Sequence, residues 1–214
     1  MSRWKPDARG RLEKAALELY NDQGFDATTV AEIATRAGVT ERTFYRYFAD
    51  KREVLFLANP LADILASAAA AAPVSIPPLE VITHALTEAA PVFEERGDLA
   101  RQRHAVISAN PELQERELAK LAALASTLAH ALRERGLQTT TAALAAEIGI
   151  ATFKVAYERW VDDPDRHPLV QRIRETLDTA RHLTAPAEHV AATDDVSFPA
   201  VVRGTITARR VPEP

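Results

Sequence analysis

Apolar positions recur at three- and four-residue steps through the first fifty residues. Leu12, Ala15, Ala16, Leu19 and Tyr20 share one face of a helix that starts near Arg9 and that Gly24 stops. Phe25 follows as a core anchor. Thr28 or Thr29 opens a second helix, since Thr29 and Glu32 stand at capping-box spacing ahead of Ile33 and Ala34, which face inward with Val30. Gly38 supplies a left-handed turn residue, Val39 fills the corner, and Thr40 is placed to cap a third helix. Phe44 and Phe48, four apart, belong to the buried face of that helix. Helix, tight turn, helix is the predicted unit, with Leu19, Phe25, Ile33, Val39, Phe44 and Phe48 as its small core.

Further along, a fourth helix is predicted from about Lys51 through Val54, Leu55 and Leu57, interrupted at Asn59-Pro60 because proline lacks an amide hydrogen and clashes with the preceding turn. Pro73 to Pro78 is a break. After it the pattern predicts helices over 79–95, 98–109, 111–135, 140–161 and 169–184, punctuated by Gly97, Asn110-Pro111, Gly136 and Asp163-Pro164. From Pro186 the character changes to prolines, acids and a strand-like run at 201–207, which reads as a disordered tail or an extended arm. The predicted fold class is all-α. Residues 1–57 form a three-helix unit, 58–185 a second helical domain and 186–214 the tail.

Composition narrows the function. At 214 residues, 47% hydrophobic and 26% charged, the chain is an ordinary globular one. It has no cysteine, which removes disulfides, thiolate metal sites and thiol catalysis, and which is compatible with a cytoplasmic location. No signal peptide or bilayer-spanning run is read, and the alanine stretch at 66–72 is too short for one, so no membrane partner is expected. The formal net charge of -4 argues against a uniformly basic surface. Locally, however, Arg3, Lys5, Arg9, Arg11 and Lys14 gather at the start, and Arg42, Arg46, Lys51 and Arg52 gather around the third helix.

With Phe44 and Phe48 inward, that third helix turns Arg42, Tyr45 and Arg46 outward. Arginine reads guanine bidentately, tyrosine meets a thymine methyl or a phosphate, and Glu41 accepts from cytosine, so these residues suit a major groove. Thr43, Tyr47 and Lys51 flank them with hydroxyls and an ammonium that suit phosphate oxygens. The amide ends of the second and fourth helices, near Thr28-Thr29 and Lys51, add anion affinity, and Thr40 at the start of the third helix joins the expected contact set. Exposed tyrosines beside buried phenylalanines point to contact with a partner.

The segment from Leu12 to Leu55 resembles the DNA-binding domain of the TetR family of transcriptional regulators. The matching residues are Ala16, Leu19, Gly24, Phe25, Thr28-Thr29-Val30, Ile33-Ala34, Ala37-Gly38-Val39, Thr43, Tyr45, Tyr47-Phe48, Asp50-Lys51 and Leu55. The resemblance implies phosphate contacts at Thr28, Thr43, Tyr47 and Lys51 and base reading at Glu41, Arg42 and Tyr45. The run from Arg101 to Arg116 resembles the C-terminal domain of mycofactocin-type regulators of that family. It implies a helical domain that binds a small molecule and dimerises through its last two helices, here 140–161 and 169–184. Ala142, Ala143, Ala146, Gly149 and Ala151 are the small residues expected to permit close packing there.

An effector site should show polar residues within apolar helices. Arg101, His104, Ser108, Lys154 and Tyr157 are the candidates, with His84, His130 and Thr152 weaker ones and Arg103 able to meet an anion at a pocket mouth. Lys154 stands out because a cation among apolar residues needs a partner or must reach water. The rival reading is an enzyme with a catalytic site in the C-terminal helices, for instance His104 with Glu88. It finds no phosphate-cradling glycine loop and no closely spaced metal-binding set. The expectation is therefore a homodimeric repressor without catalytic site, cofactor or metal, which binds a palindromic operator in double-stranded DNA and leaves it when an effector binds.

Overall fold

The computed structural model describes residues 7–56, 61–73 and 75–184. Within them the chain forms nine α-helices and no strand: α1 (Ala8–Gln23), α2 (Val30–Ala37), α3 (Glu41–Tyr47), α4 (Leu61–Ala71), α5 (Pro78–Glu94), α6 (Gly97–Ser108), α7 (Pro111–Glu134), α8 (Thr139–Val161) and α9 (Leu169–Thr184). The all-α reading holds. The strand-like run at 201–207 lies outside the described residues.

Local chemistry sets the ends of the first three helices. The Asp7 carboxylate accepts from the Gly10 amide and starts α1, and Gly24, at φ 89°, ends it. Thr29 and Glu32 form the expected capping box at the start of α2, each side chain accepting from the other's backbone amide. Gly38 ends α2 at φ 67°, a left-handed conformation that a Cβ disfavours. The Thr40 hydroxyl then accepts from the Thr43 amide and starts α3.

Two cores follow. Leu12, Leu19, Tyr20, Phe25, Ile33, Phe44 and Phe48 pack together as expected, with Val39 half-buried against them. This core is not closed by its own helices, because Val54, Leu55 and Phe56 join it along with Val106 and Ile107 of α6 and Leu113 of α7. Each large side chain buried here contributes roughly 1.5 to 3 kcal/mol. The second core lies among α4, α5, α7, α8 and α9, around Leu65, Ile82, Leu128, Leu132, Phe153 and Ile173.

The fourth helix predicted from Lys51 does not form. Residues 51–56 are successive turns closed by bonds three residues apart, from the Glu53 amide to Asp50, Leu55 to Arg52 and Phe56 to Glu53. The Asp50 carboxylate accepts from the amides of Arg52 and Glu53, and the carbonyls of Leu55 and Phe56 are taken by side chains of α6 and α7. The next described helix starts at Leu61. Leu57 and Asn59-Pro60 lie outside the described residues.

Candidate functional site

The α3 helix presents a seven-residue face about 10 Å long. Phe44 is fully buried beneath it and Phe48 packs at its end, their rings 5.3 Å apart, so the helix is seated from below and capped at its start. Glu41, Arg42, Tyr45, Arg46 and Tyr47 all face solvent. Tyr45 is 56% exposed and Tyr47 40%, unusual for phenol rings on so well seated a helix. The Arg46 guanidinium lies 4.9 Å from the Tyr47 ring centre and donates to its hydroxyl at 3.1 Å. Thr43 is half-buried, with its hydroxyl 3.1 Å from that of Thr40. Thr29 is exposed, though its hydroxyl is engaged by Glu32 at 2.8 Å. That arrangement holds the Glu32 carboxyl below the usual glutamate range, chiefly through the Thr29 amide.

Two residues expected on this surface serve its scaffold. Thr28 is 1% exposed, and its hydroxyl donates to the Gly24 carbonyl at 2.8 Å, so the side chain ties the loop ahead of α2 and is not offered outward. Lys51 is half-buried and donates to the carbonyls of Phe25, Asp26 and Thr28 at 2.8, 3.1 and 2.9 Å. Its ammonium therefore fastens the entry to α2 to the end of the α3 unit. Tyr20 donates to the Lys51 carbonyl at 2.6 Å from below, and burial pushes the Tyr20 phenol well up, with Asp50 adding to the rise.

A cavity of about 1000 Å³ lies where α1 and the turn at 51–56 meet α5, α6, α7 and α8. Leu17, Phe93, Leu99, Leu121, Leu124 and Phe153 give it apolar walls. Polar groups enter from two sides. Glu13, buried on α1, is paired with Arg9 and with Arg96 at the α5–α6 corner. Arg103 grips Glu117 through both terminal nitrogens, at 3.1 and 2.6 Å, and donates from Nε to the Leu55 carbonyl at 2.6 Å. Burial pushes the nearby Tyr157 phenol up, with Arg103 opposing it.

Of the five effector candidates only Tyr157 lines this cavity. Lys154 is exposed and sits 3.9 Å from Glu158, one turn along α8, so it reaches water as a surface pair and not a pocket. His104 and Ser108 share a contact of 3.3 Å and stand off the cavity wall, His104 with its ring 6.1 Å from Tyr157. Arg101 stacks 5.4 Å over Trp160 beside a separate polar groove. Of the weaker candidates, His84 and His130 are exposed, and the buried Thr152 hydroxyl donates to the Ile148 carbonyl within α8. Glu13, Arg96, Glu117 and Lys120 were not singled out by sequence, where Arg9 and Glu13 look like an ordinary surface pair one turn apart.

The small residues of α8 divide between two faces. Ala142, Ala146 and Gly149 point into the protomer, where a Cβ on Gly149 would meet Ile82 of α5 at 2.3 Å. Ala143 and Ala151 are exposed, the latter on the face that carries Leu144, Ile148 and Val155 outward. That apolar stripe is the exposed face of α8, while the glycine-alanine row is buried within the protomer.

In the turn between α8 and α9, ligand atoms of Asp163, Asp165 and His167 lie within 4.8 Å of one another. The Asp163 carboxylate already accepts from Arg172 at 2.7 Å and from the His167 amide at 2.9 Å, which holds its pKa well down and marks it as a loop tie. Among the described residues no helix is long and apolar enough to cross a membrane.

Residues 12–58 match the family model of bacterial regulatory proteins of the tetR family, and residues 76–185 match that of the MftR C-terminal domain. An uncharacterized HTH-type transcriptional regulator of Mycobacterium tuberculosis is 42% identical over 67 residues, which are 30% of this chain and 35% of that protein. The chain thus spans about a third of the length of the curated relative it matches. Among solved structures it is similar to a TetR-family transcriptional regulator from Syntrophomonas wolfei, with a TM-score of 0.62 and 18% identity over 86% of this chain and 98% of that one. It is also similar to the fatty acid degradation regulator FadR from Bacillus halodurans, with a TM-score of 0.57 and 20% identity over 79% and 95%. These two likenesses concern the fold.

Proposed function

The chain belongs to the TetR family of bacterial regulatory proteins, and we propose on that premise that it is a transcriptional regulator that reads double-stranded DNA with α3. Residues 1–57 serve as the DNA-binding domain and 58–185 as the effector-binding and dimerising one. The observation that carries this reading is Tyr45, more than half exposed beside Arg42 on a helix that is capped by Thr40 and seated on Phe44. A ring kept in water on so well anchored a helix is placed to be covered by a partner. Glu41, Arg42 and Tyr45 are assigned to base edges, and Thr29, Thr40, Thr43, Arg46 and Tyr47 to phosphates. Lys51 and Thr28 support the surface without reaching it.

Two copies joined across Leu144, Ile148 and Val155 of α8 present two α3 helices to a near-palindromic operator, with half-sites about 34 Å apart or a multiple of that. The cavity beside Tyr157 is the effector site. Its apolar walls, with charged side chains such as Arg96, Arg103 and Lys120 among its lining, suit a mainly apolar molecule carrying a hydrogen-bond acceptor. Filling it favours the conformer that does not fit DNA, so the protein acts as a repressor released by its effector.

Titration of a labelled operator duplex at several salt concentrations tests the reading. Affinity should fall steeply, with a logarithmic slope of about 0.9 per phosphate contacted. Binding that is absent, or indifferent to salt, rejects it.

A further inference from the structure

Four side chains of α6 and α7 close on the turn at 51–56. Arg103 donates to the Leu55 carbonyl at 2.6 Å and Lys120 to the Phe56 carbonyl at 2.9 Å, while Glu112 pairs with Arg52 and Arg116 with Glu53. The Phe56 ring has the guanidinium groups of Arg103 and Arg116 each 5.4 Å from its centre. Inside the same turn, Lys51 holds three carbonyls of the loop that leads into α2. A displacement of this turn is therefore passed directly to the helices that carry the reading surface.

Arg103 is the member of this set that grips both the turn and α7 on the cavity wall. It lines the cavity together with Leu55, Phe56, Glu117 and Tyr157. Its fork is occupied by one backbone carbonyl and one carboxylate. Lys120 also lines the cavity but is a point donor to a single carbonyl. Arg52 and Arg116 hold the turn away from the cavity wall, and Glu13 and Arg96 on the opposite side pair with each other and not with the turn.

We propose that Arg103 is the positioning residue through which occupancy of the cavity sets the reading helix. This rests on the regulator reading above. A guanidinium has only donors, in a rigid planar fork, so an acceptor oxygen carried into the cavity competes with Leu55 and Glu117 for the same N–H groups. When the Leu55 carbonyl loses its donor it is a part-buried acceptor without another partner among the described residues, and the turn shifts to satisfy it. Lys51 and Tyr20 carry that shift to the entry of α2. Lysine at position 103 would keep the charge and lose the fork.

The test uses the full chain with Trp4→Phe, which leaves Trp160 as its one tryptophan, and anilinonaphthalene sulfonate as the cavity probe. The Trp160 ring lies 5.7 Å from that of the cavity residue Tyr157, so probe bound in the cavity takes energy from Trp160. Loss of that transfer in Leu124→Phe, which narrows the cavity without adding a tryptophan, distinguishes it from probe bound in the groove beside Trp160. Affinity for a duplex recovered by selection is measured with and without saturating probe. In the parent protein the probe should weaken DNA binding about tenfold or more. In Arg103→Met and in Arg103→Lys it should still give energy transfer but change DNA affinity by less than about twofold. The Lys variant carries the test should the Met variant fail to fold. Either variant retaining the parent's response overturns the proposal. So does a parent whose DNA affinity ignores the bound probe, or a cavity that excludes the probe. A parent that binds no duplex at all fails the regulator reading instead, which separates the two.

Discussion

The Lys51 ammonium donates to the Phe25 carbonyl at 2.8 Å and stands 4.5 Å from the centre of the Phe25 ring. With the carbonyls of Asp26 and Thr28 added, one side chain gathers three backbone acceptors of the loop that leads into α2, of which Phe25 also accepts from the Thr28 amide at 3.3 Å. The loop into α2 is thus fastened by a cation from the turn that follows α3.

Replacing Lys51 with methionine keeps the stem over Phe25 and removes the three donated bonds. Hydrogen bonds from a charged group are worth about 1.5 to 3 kcal/mol each when well buried, and this one is half-buried and shared, so a total loss of about 2 kcal/mol is expected. For a chain of this size that lowers Tm by about 4 to 8 °C in a thermal melt. Affinity should fall alike for every DNA sequence. An unchanged Tm with weaker DNA binding would instead make Lys51 a direct phosphate ligand.

Arg42→Ala and Tyr45→Ala should leave Tm unchanged, because both side chains are exposed. Each should cost about 1 to 3 kcal/mol at particular base pairs and little elsewhere. Competition binding with single-base variants of the operator measures this. A uniform loss across all variants would move the residue from base reading to backbone contact.

Acid should loosen the turn at 51–56 only once the pH falls below the ordinary carboxylate range. The Asp50 carboxylate is partly buried, which opposes ionisation, but hydrogen bonds from Arg52 and the Arg52 charge outweigh this and hold its pKa below the ordinary 3.8. The Asp163 carboxylate is held lower still, first by Arg172. A carboxylate depressed in the folded state adds stability that is fully present above its unfolded pKa and is lost as pH falls through the folded one. Tm should therefore begin to fall below about pH 4. Asp50→Asn should flatten that decline, and an equally steep decline in the variant would remove Asp50 from the explanation.

The two faces of α8 should separate by mutation. Gly149→Ala puts a methyl group against the fully buried Ile82 and should destabilise the protomer by about 1 to 3 kcal/mol without changing its association state. Ile148→Glu should leave the protomer folded and yield monomers in sedimentation. The reverse pattern would place the partner on the small-residue row.

The capped helices were legible in the sequence because their determinants are local. Thr29 with Glu32, Gly38 and Thr40 each act within four residues, and Phe44 with Phe48 fixes which side of α3 faces out. Lys51 was legible as a cation but not as a tie, since its three acceptors lie 23 to 26 residues upstream. The turn at 51–56 carries the apolar spacing of a helix. It gives way because Asp50 captures two amides and Arg103 and Lys120, some 48 and 64 residues away, capture the carbonyls a helix would use. Lys154 takes the second of its two options and reaches water beside Glu158, because the apolar residues around it in the chain do not surround it on the helix. The cavity draws its wall from six separate stretches of chain, which no periodicity announces.

Selection of bound duplexes from a random pool, by the parent chain and by Arg42→Ala, decides most directly whether α3 reads DNA. The parent should enrich one near-palindromic sequence, and the variant should enrich the same sequence with preference lost at one position in each half-site. A pool that remains unenriched, or one enriched identically by both proteins, would contradict that assignment.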